Sequence, residues 1–348
     1  MTTPVAIVSL ASASPPHEFL QSEVSEQARR ILSTKYREFE RLFPVFRNTG
    51  IRRRQAVMPM EWYFEEKSWP ERTAAYLEGG VDLFCKAAQR ALERAGLKAS
   101  DVDQVVTVSS TGIATPSLEA RAMSRMGFRE DVGRVPVFGL GCAGEVTGLS
   151  LAARLASARP GSVVLLVVVE LCTLSCRPDS FTTANVVATA LFGDGAAAAV
   201  LSTGAEGQAR VEGASEHTWT DTLEIMGWEV DPQGFGVIFD RSIPTFAEAN
   251  FRPAMDGLLA RMGLGYDDVD RFVCHPGGAK VIEALEKALG LGQGALTHER
   301  DVLADHGNMS APTALFVLER VLAAGQKGRL VLSALGPGFT ASCASLAA

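Results

Sequence analysis

The sequence predicts an α/β fold made of two related halves, and three observations carry that prediction. The first is an internal repeat. Arg94-Ala95-Gly96-Leu97, followed by Asp101-Val102-Asp103 and an apolar stretch at 105–108, recurs as Arg261-Met262-Gly263-Leu264, Asp268-Val269-Asp270 and Phe272-Val273. The second is that an independent landmark repeats at the same offset. Gly161, which opens the apolar run 163–169, and Gly328, which opens Leu330-Val331-Leu332, are as far apart as Asp101 and Asp268. The third is the character of those runs: nearly continuous apolar strands belong to a sheet covered on both faces. Two such halves are expected to pack as layered sheets that share a layer of helices. The first half spans 1–205 and the second 206–348, joined through the small, polar and glycine residues around 202–213.

In chain order, apolar spacing predicts a helix over 81–95, stopped by Gly96, then a strand at 105–108. A strand at 134–138 leads into the glycine-rich loop 139–144, a helix over 147–158 and the buried strand 163–169. The second half repeats the plan with a helix over 252–262, a strand at 271–274, a helix over 311–324 and a strand at 330–332. Pro312 sits in the permissive first turn of its helix.

Composition narrows the function. Hydrophobic residues make up 47% of the 348 residues, enough for a large core. A net charge of −7 leaves no electrostatic footprint for a nucleic acid. The run 163–169 is too short to cross a bilayer, and the N-terminus lacks the basic stretch of a secretory signal, so a cytoplasmic protein without stable membrane insertion is expected. The six cysteines form no C-x-x-C pair, which argues against a zinc knuckle or a disulfide framework. A buried cysteine is ordinarily a small hydrophobe, and only Cys142 has a context that says otherwise.

That context comes from the repeat. Carried forward by the repeat offset, Cys142 falls on position 309, next to Asn308. Both stand at glycine-flanked turns before alanine-rich helices, Gly141-Cys142-Ala143-Gly144 and Gly307-Asn308-Met309-Ser310. A cysteine at a helix N-terminus meets the positive end of the macrodipole, which favours the thiolate. Backbone N–H groups beside glycine can approach a carbonyl oxygen closely. His275 follows the strand 271–274 and precedes Pro276-Gly277-Gly278, so an imidazole projects from a strand end, where it could take the thiol proton. Asn308 donates hydrogen bonds but does not titrate, which suits holding an enolate. Together the three suit acyl transfer followed by decarboxylative carbon–carbon bond formation. A competing motif overlaps them: Gly139-Leu140-Gly141-Cys142-Ala143-Gly144 matches G-x-G-x-x-G, with Glu170 ending the next strand as a ribose-binding acid would. It lies deep in the chain, and the second half has no matching fingerprint.

Five blocks spread over nearly the whole chain resemble the type III polyketide synthases, the chalcone-synthase-like members of the thiolase superfamily. They are 139–144, Leu191-Phe192-Gly193-Asp194-Gly195, Cys274-His275-Pro276-Gly277-Gly278, Gly307-Asn308-Met309-Ser310 and Gly336-Pro337-Gly338-Phe339-Thr340. The resemblance implies a five-layered αβαβα thiolase-like fold, a homodimer, and a Cys142-His275-Asn308 site fed by malonyl-CoA and acyl-CoA, with no cofactor or metal. It further implies Phe192 as a gate between CoA tunnel and cavity, and Ser110, Thr115, Ser175, Cys176 and Val237 as cavity-lining positions. CoA would be held by Arg41, by Arg47 beside Asn48, and by Gly277 and Ala279, with Arg52-Arg53-Arg54 adding positive charge. Ketoacyl-carrier-protein synthases share the three catalytic residue types but show His-Gln-Ala-Asn where this chain has His275-Pro276-Gly277-Gly278, and thiolases need a second catalytic cysteine that Cys343 does not match. A degenerate, non-enzymatic scaffold is disfavoured because all three residues are present. Met226-Gly227-Trp228 and small cavity residues resemble bacterial enzymes that make alkylpyrones or alkylresorcinols from fatty acyl-CoA. Synthesis of tetrahydroxynaphthalene from malonyl-CoA alone is the second expectation, and such enzymes often carry cysteine where this chain has Ser110.

Overall fold

The computed structural model of the chain describes residues 4–36, 38–180 and 182–348. The first half opens with β1 (Val5–Ala13), β2 (His17–Leu20) and α1 (Gln21–Lys35). Three short pieces, α2 (Phe39–Leu42), α3 (Val45–Asn48) and α4 (Met60–Tyr63), surround β3 (Arg53–Ala56). There follow α5 (Trp69–Ala95), β4 (Gln104–Val108), α6 (Leu118–Met126), β5 (Gly133–Val137), α7 (Gly144–Ala158), β6 (Val163–Leu171), α8 (Thr183–Leu191) and β7 (Asp194–Thr203). The second half runs β8 (Ala209–Thr218), β9 (Met226–Asp231), β10 (Gly234–Phe239), α9 (Ile243–Arg261) and β11 (Arg271–Cys274). It closes with α10 (Ala279–Ala288), α11 (Thr297–His306), α12 (Pro312–Ala323), β12 (Arg329–Gly336) and β13 (Thr340–Ala347).

Strand order explains how the halves meet. The sheet runs β11-β12-β13-β8-β1-β7-β6-β4-β5 without a break, so the two expected sheets are one continuous surface. The seam is short: only Val5 to Ile7 of β1 pair with Ala209 to Val211 of β8. On either side of it the sheet wraps around a shared helical layer. Helix α7 packs on β4, β6 and β7 of the first half and on β8, β12 and β13 of the second, and α12 likewise touches β1, β6, β7, β11 and β12. Helix α5 covers the outer face of the first half and α9 with α10 that of the second, completing five layers.

The apolar runs follow from this layering. In β6, Leu165, Val167 and Val169 pack outward with α5, whereas Val164, Leu166 and Val168 pack inward among residues of α7 and α12. Strand β12 divides the same way, with Leu330 and Leu332 facing the middle layer and Val331 and Leu335 the outer helices. A strand buried on both faces has no polar alternation to show. Each such side chain contributes about 1.5–3 kcal/mol by leaving water.

Two helices begin earlier than the spacing predicts. Helix α5 starts at Trp69 behind a capping box, in which the Ser68 side chain caps the helix and the Glu71 carboxylate accepts the Ser68 N–H. Gly79-Gly80 in its middle masks the period, yet a Cβ at Gly79 would collide with Val57, so close approach rather than a break accounts for the glycine. Helix α9 starts at Ile243 and continues through Pro253. The duplication is also incomplete. Strands β4 and β11 begin at positions related by the repeat offset, but the segment matching β5 falls in α11, so the second half lacks that strand.

Candidate active site

Cys142, His275 and Asn308 line one cavity, although they come from three separate loops. Cys142 occupies a 3-10 turn, Gly141–Ala143, that runs directly into α7. Glycine is needed here: Gly141 has φ +47°, and a Cβ on it would lie 2.6 Å from Pro337 Cδ. Conversely a Cβ at Gly336 would lie 2.6 Å from that of Ala143, so the two glycine loops sit back to back. Ser110 holds the turn from beneath, its Oγ accepting the N–H groups of Gly139 at 3.1 Å and Gly141 at 3.2 Å. These contacts account for the dinucleotide-like fingerprint without a nucleotide. Glu170 is likewise buried, accepting the Ser110 N–H at 3.0 Å and the Thr111 hydroxyl at 2.7 Å, and no ribose could reach it.

His275 leaves the end of β11, and its N–H donates to Ser333 O of β12 at 2.8 Å. Asn308 is fixed by three bonds: its N–H donates to Leu191 O at 2.9 Å, its Oδ1 accepts the Ser310 N–H at 2.8 Å, and its Nδ2 donates to Gly277 O at 3.1 Å. A backbone donor on one side and a carbonyl on the other dictate which way the amide faces. Phe192 and Asn308 pair as an isolated parallel bridge, which ties the end of α8 to the asparagine loop. Ser310, at φ +57°, accepts a hydrogen bond from Cys142 Sγ at 3.4 Å.

Burial governs the electrostatics. It pushes the Cys142 thiol up to about 12, outweighing the Ser310 hydroxyl that favours the thiolate. Burial therefore works against the thiolate expected at a helix N-terminus. Loss of water also drives His275 down to about 3. Glu145, in the first turn of α7, is raised well above the usual carboxylate range by burial, against the pull of the Ala314 and Leu315 N–H groups.

The cavity encloses about 770 Å³ of space, including its mouth. Phe192, Val237 and Gly277 line it. So do Met226, Gly227, Trp228, Ile238 and Phe239, because β9 and β10 form a hairpin that makes one wall. Sequence reasoning named only part of this wall, although Asp231-Pro232-Gln233-Gly234 between apolar stretches is a turn signal. Arg177, buried, clamps the turn through Asp231 at 2.5 and 3.0 Å.

Other expected positions lie elsewhere. Ser110 is buried behind the cysteine turn rather than in the cavity wall. Thr115 is exposed and does not line the cavity. Ser175 and Cys176 line a second cavity of about 410 Å³, which shares Cys172 and Phe192 with the first. The bulk of the first cavity's wall comes from Met226, Trp228, Phe239 and Phe251, and of the five expected lining positions beside Phe192 only Val237 belongs to it. Arg41 and Arg47 are exposed on α2 and α3. Ala279 opens α10 beside Gly50, bringing the segment after Arg47 close to the cavity's Gly277. The arginine triplet is otherwise engaged. Arg54 is buried and donates to the carbonyls of Thr189, Ala190 and Phe192 at the end of α8, and Arg52 and Arg53 pair with Asp305 at 3.0 and 3.6 Å. Sequence reasoning missed Glu145 and Cys172, whose positions follow from packing between layers and carry no local motif, and it gave no role to Ser310 although that residue ends the Gly307-Asn308-Met309-Ser310 block.

No helix among the described residues is long and apolar enough to cross a membrane. Known proteins place the whole in context. The N-terminal domain of the chalcone and stilbene synthases matches residues 2–205, and their C-terminal domain matches 213–344. The chain is 38% identical to a 1,3,6,8-tetrahydroxynaphthalene synthase of Streptomyces peucetius subsp. caesius over 97% of its own length and 91% of that protein's. It is 33% identical to a 3,5-dihydroxyphenylacetyl-CoA synthase of Amycolatopsis balhimycina, over 85% of this chain and 82% of the relative. The crystal structure of the 1,3,6,8-tetrahydroxynaphthalene synthase of Streptomyces coelicolor A3(2), a bacterial type III polyketide synthase, superposes with a TM-score of 0.92 at 28% identity, covering 98% of this chain and 99% of that one. Matched in both halves and along nearly its full length, the chain belongs to the chalcone and stilbene synthase family and is a type III polyketide synthase, an acyltransferase.

Proposed function

We propose that this synthase loads a medium- or long-chain fatty acyl group from acyl-CoA onto Cys142, extends it with malonyl-CoA, and closes the product as an alkylpyrone or alkylresorcinol. The chemistry needs nothing beyond the chain's own residues. His275 Nε2 takes the thiol proton, Sγ attacks the acyl thioester and CoA leaves. Malonyl-CoA then loses carbon dioxide, and the electron pair settles on a thioester oxygen held by His275 and by the second N–H of Asn308 Nδ2. The enolate carbon attacks the acyl-Cys142 carbonyl, forming the carbon–carbon bond and releasing the thiolate. Arg41 and Arg47 attract the CoA phosphates, Gly277 and Ala279 border the pantetheine arm, and the enzyme acts as a homodimer.

The observation that carries this reading is the convergence of Cys142, His275 and Asn308 on a cavity whose other walls are Met226, Trp228, Ile238, Phe239, Phe251 and Leu285. Such a lining suits an alkyl chain better than a growing poly-β-keto chain with no apolar starter. Phe192 and Cys172 stand between this cavity and the second, in line with a gate. The relative named as a tetrahydroxynaphthalene synthase favours a second reading, in which malonyl-CoA supplies both starter and extender. Product profiling by mass spectrometry separates the two. With malonyl-CoA and starters from acetyl- to stearoyl-CoA, products should lengthen with the starter. A product from malonyl-CoA alone would move the assignment to the naphthalene type, and no turnover of any free CoA ester would refute both.

A further inference from the structure

Behind His275 the cavity wall holds a buried carboxyl group with no part in the chemistry above. Glu145 lies three residues beyond Cys142, in the first turn of α7, and is fully buried. Its Oε2 accepts the Ala314 N–H of α12 at 3.1 Å. Among the described residues its Oε1 has no hydrogen-bond partner, and it stands 3.7 Å from His275 Nδ1. Neither ring nitrogen of His275 has a partner among those residues either. Leaving such groups unpaired costs about 1–3 kcal/mol apiece, and native interiors hold few of them. The ring's orientation distinguishes its two nitrogens. A Cβ built on Gly277 would lie 3.7 Å from His275 Cδ2 and 3.8 Å from Nε2, so that edge faces Gly277 and the Asn308 amide bound to it, while Nδ1 faces Glu145.

We infer that Glu145 is a positioning residue for His275: its Oε1 accepts the Nδ1 hydrogen, presents a bare Nε2 to the Cys142 side of the cavity, and balances the imidazolium formed when Nε2 takes the thiol proton. The inference rests on Cys142 being the nucleophile. In the proton step the Sγ–H bond breaks and an Nε2–H bond forms, with no change in the net charge of the three groups. Without the carboxylate, the imidazolium would be a buried cation with only the thiolate to answer it. The Ala314 N–H of α12 and the place of Glu145 in the first turn of α7 favour the charged carboxylate against the burial that raises it. Glu170, from β6, opposes it, and Cys142 itself adds a further acidic group to the same wall, with Cys172 beside it. The Nδ1 hydrogen of a neutral His275 is the donor placed to hold the carboxylate against them.

The test is the pH dependence of Cys142 alkylation by iodoacetamide, read by intact mass on the full chain, with Cys142→Ala as the blank. Glu145→Gln should raise the apparent thiol pKa by about 1 and slow alkylation about tenfold at pH 7, and Glu145→Asp should recover part of that loss. An unchanged midpoint in Glu145→Gln would overturn the inference. A second measurement needs no variant. The chain has five histidines, so ¹⁵N spectra of histidine-labelled protein should resolve His275 with its proton on Nδ1 at neutral pH, and a ring protonated on Nε2 alone would also overturn it. If Cys142 resisted alkylation at every pH, the failure would lie with the nucleophile assignment.

Discussion

At the scale of single residues, the role proposed for Asn308 separates the two halves of the reaction. Its Oδ1 and one Nδ2 hydrogen are committed to Ser310 and Gly277, so the amide cannot rotate to follow a ligand. Such a preset donor stabilises charge that develops only in the transition state, an effect worth about 10²–10³ in rate for one donor. Asn308→Ala should therefore slow decarboxylation of malonyl-CoA by about that factor, measured by release of labelled carbon dioxide. Loading of Cys142 from acyl-CoA, followed by intact mass, should change little. Equal loss of both steps would refute this division, and an acyl adduct on Cys142→Ala would refute the nucleophile itself. The three residues were legible in the sequence because each stands at a glycine-marked loop, and two of them at positions the duplication relates. Glu145 was not. It occupies an ordinary helix position, and only the packing of α12 against α7 turns its carboxyl group toward His275.

At the scale of elements, the least legible piece is the hairpin of β9 and β10, which walls the cavity yet joins no ladder of the main sheet. The long strands and the shared helices announce themselves because burial on two faces leaves a continuous apolar run. A two-stranded ribbon half-exposed at a cavity mouth has a mixed pattern that does not show the fold, and Val237 was named only through the family resemblance. Two-stranded ribbons are marginal by themselves, so this one depends on what holds it. The Arg177–Asp231 clamp is the strongest candidate, since its guanidinium is almost wholly buried while the carboxylate is held below the usual range by that arginine. Asp231→Ala leaves a buried cation without its partner, at a cost of about 3 kcal/mol. Amides of Met226–Phe239 should then exchange with deuterium faster while those of Val163–Leu171 do not. Uniform or unchanged exchange would show that other contacts hold the wall.

At the scale of the whole molecule, the layered architecture buries titratable groups in a way that makes stability depend on pH with a definite sign. Glu170, under the cysteine turn, is raised by burial from 4.5 to about 8, and Asp194, at the start of β7, from 3.8 to about 6. Between its unfolded and folded values each acid holds a proton in the folded chain that the unfolded chain has released. Their contribution is thus fully present below the unfolded pKa and is lost as pH rises through the folded one. The share of Asp194 is gone by about pH 6, leaving Glu170 to act up to about pH 8. Histidines work in the opposite sense. His306 is lowered from 6.5 to about 4 by burial, so the unfolded chain binds the extra proton, and stability from this source rises with pH only until about 6.5. His275, lowered by burial to about 3, acts in the same sense as His306, and Glu145, raised by burial, acts in the sense of Glu170 wherever it keeps its proton. Above pH 6.5 the histidines no longer contribute, so the slope comes from the buried acids, Glu170 among them, and the melting temperature should fall from there to pH 8. Glu170→Gln mimics the protonated acid, since an amide oxygen can still accept the Ser110 N–H, and it should make the fall between pH 6.5 and 8 shallower, leaving below pH 6 only the opposing slopes of Asp194 and the histidines. A slope unchanged in the variant would mean that Glu170 is already ionised in the folded protein, held by the Ser110 N–H and the Thr111 hydroxyl more strongly than burial opposes it.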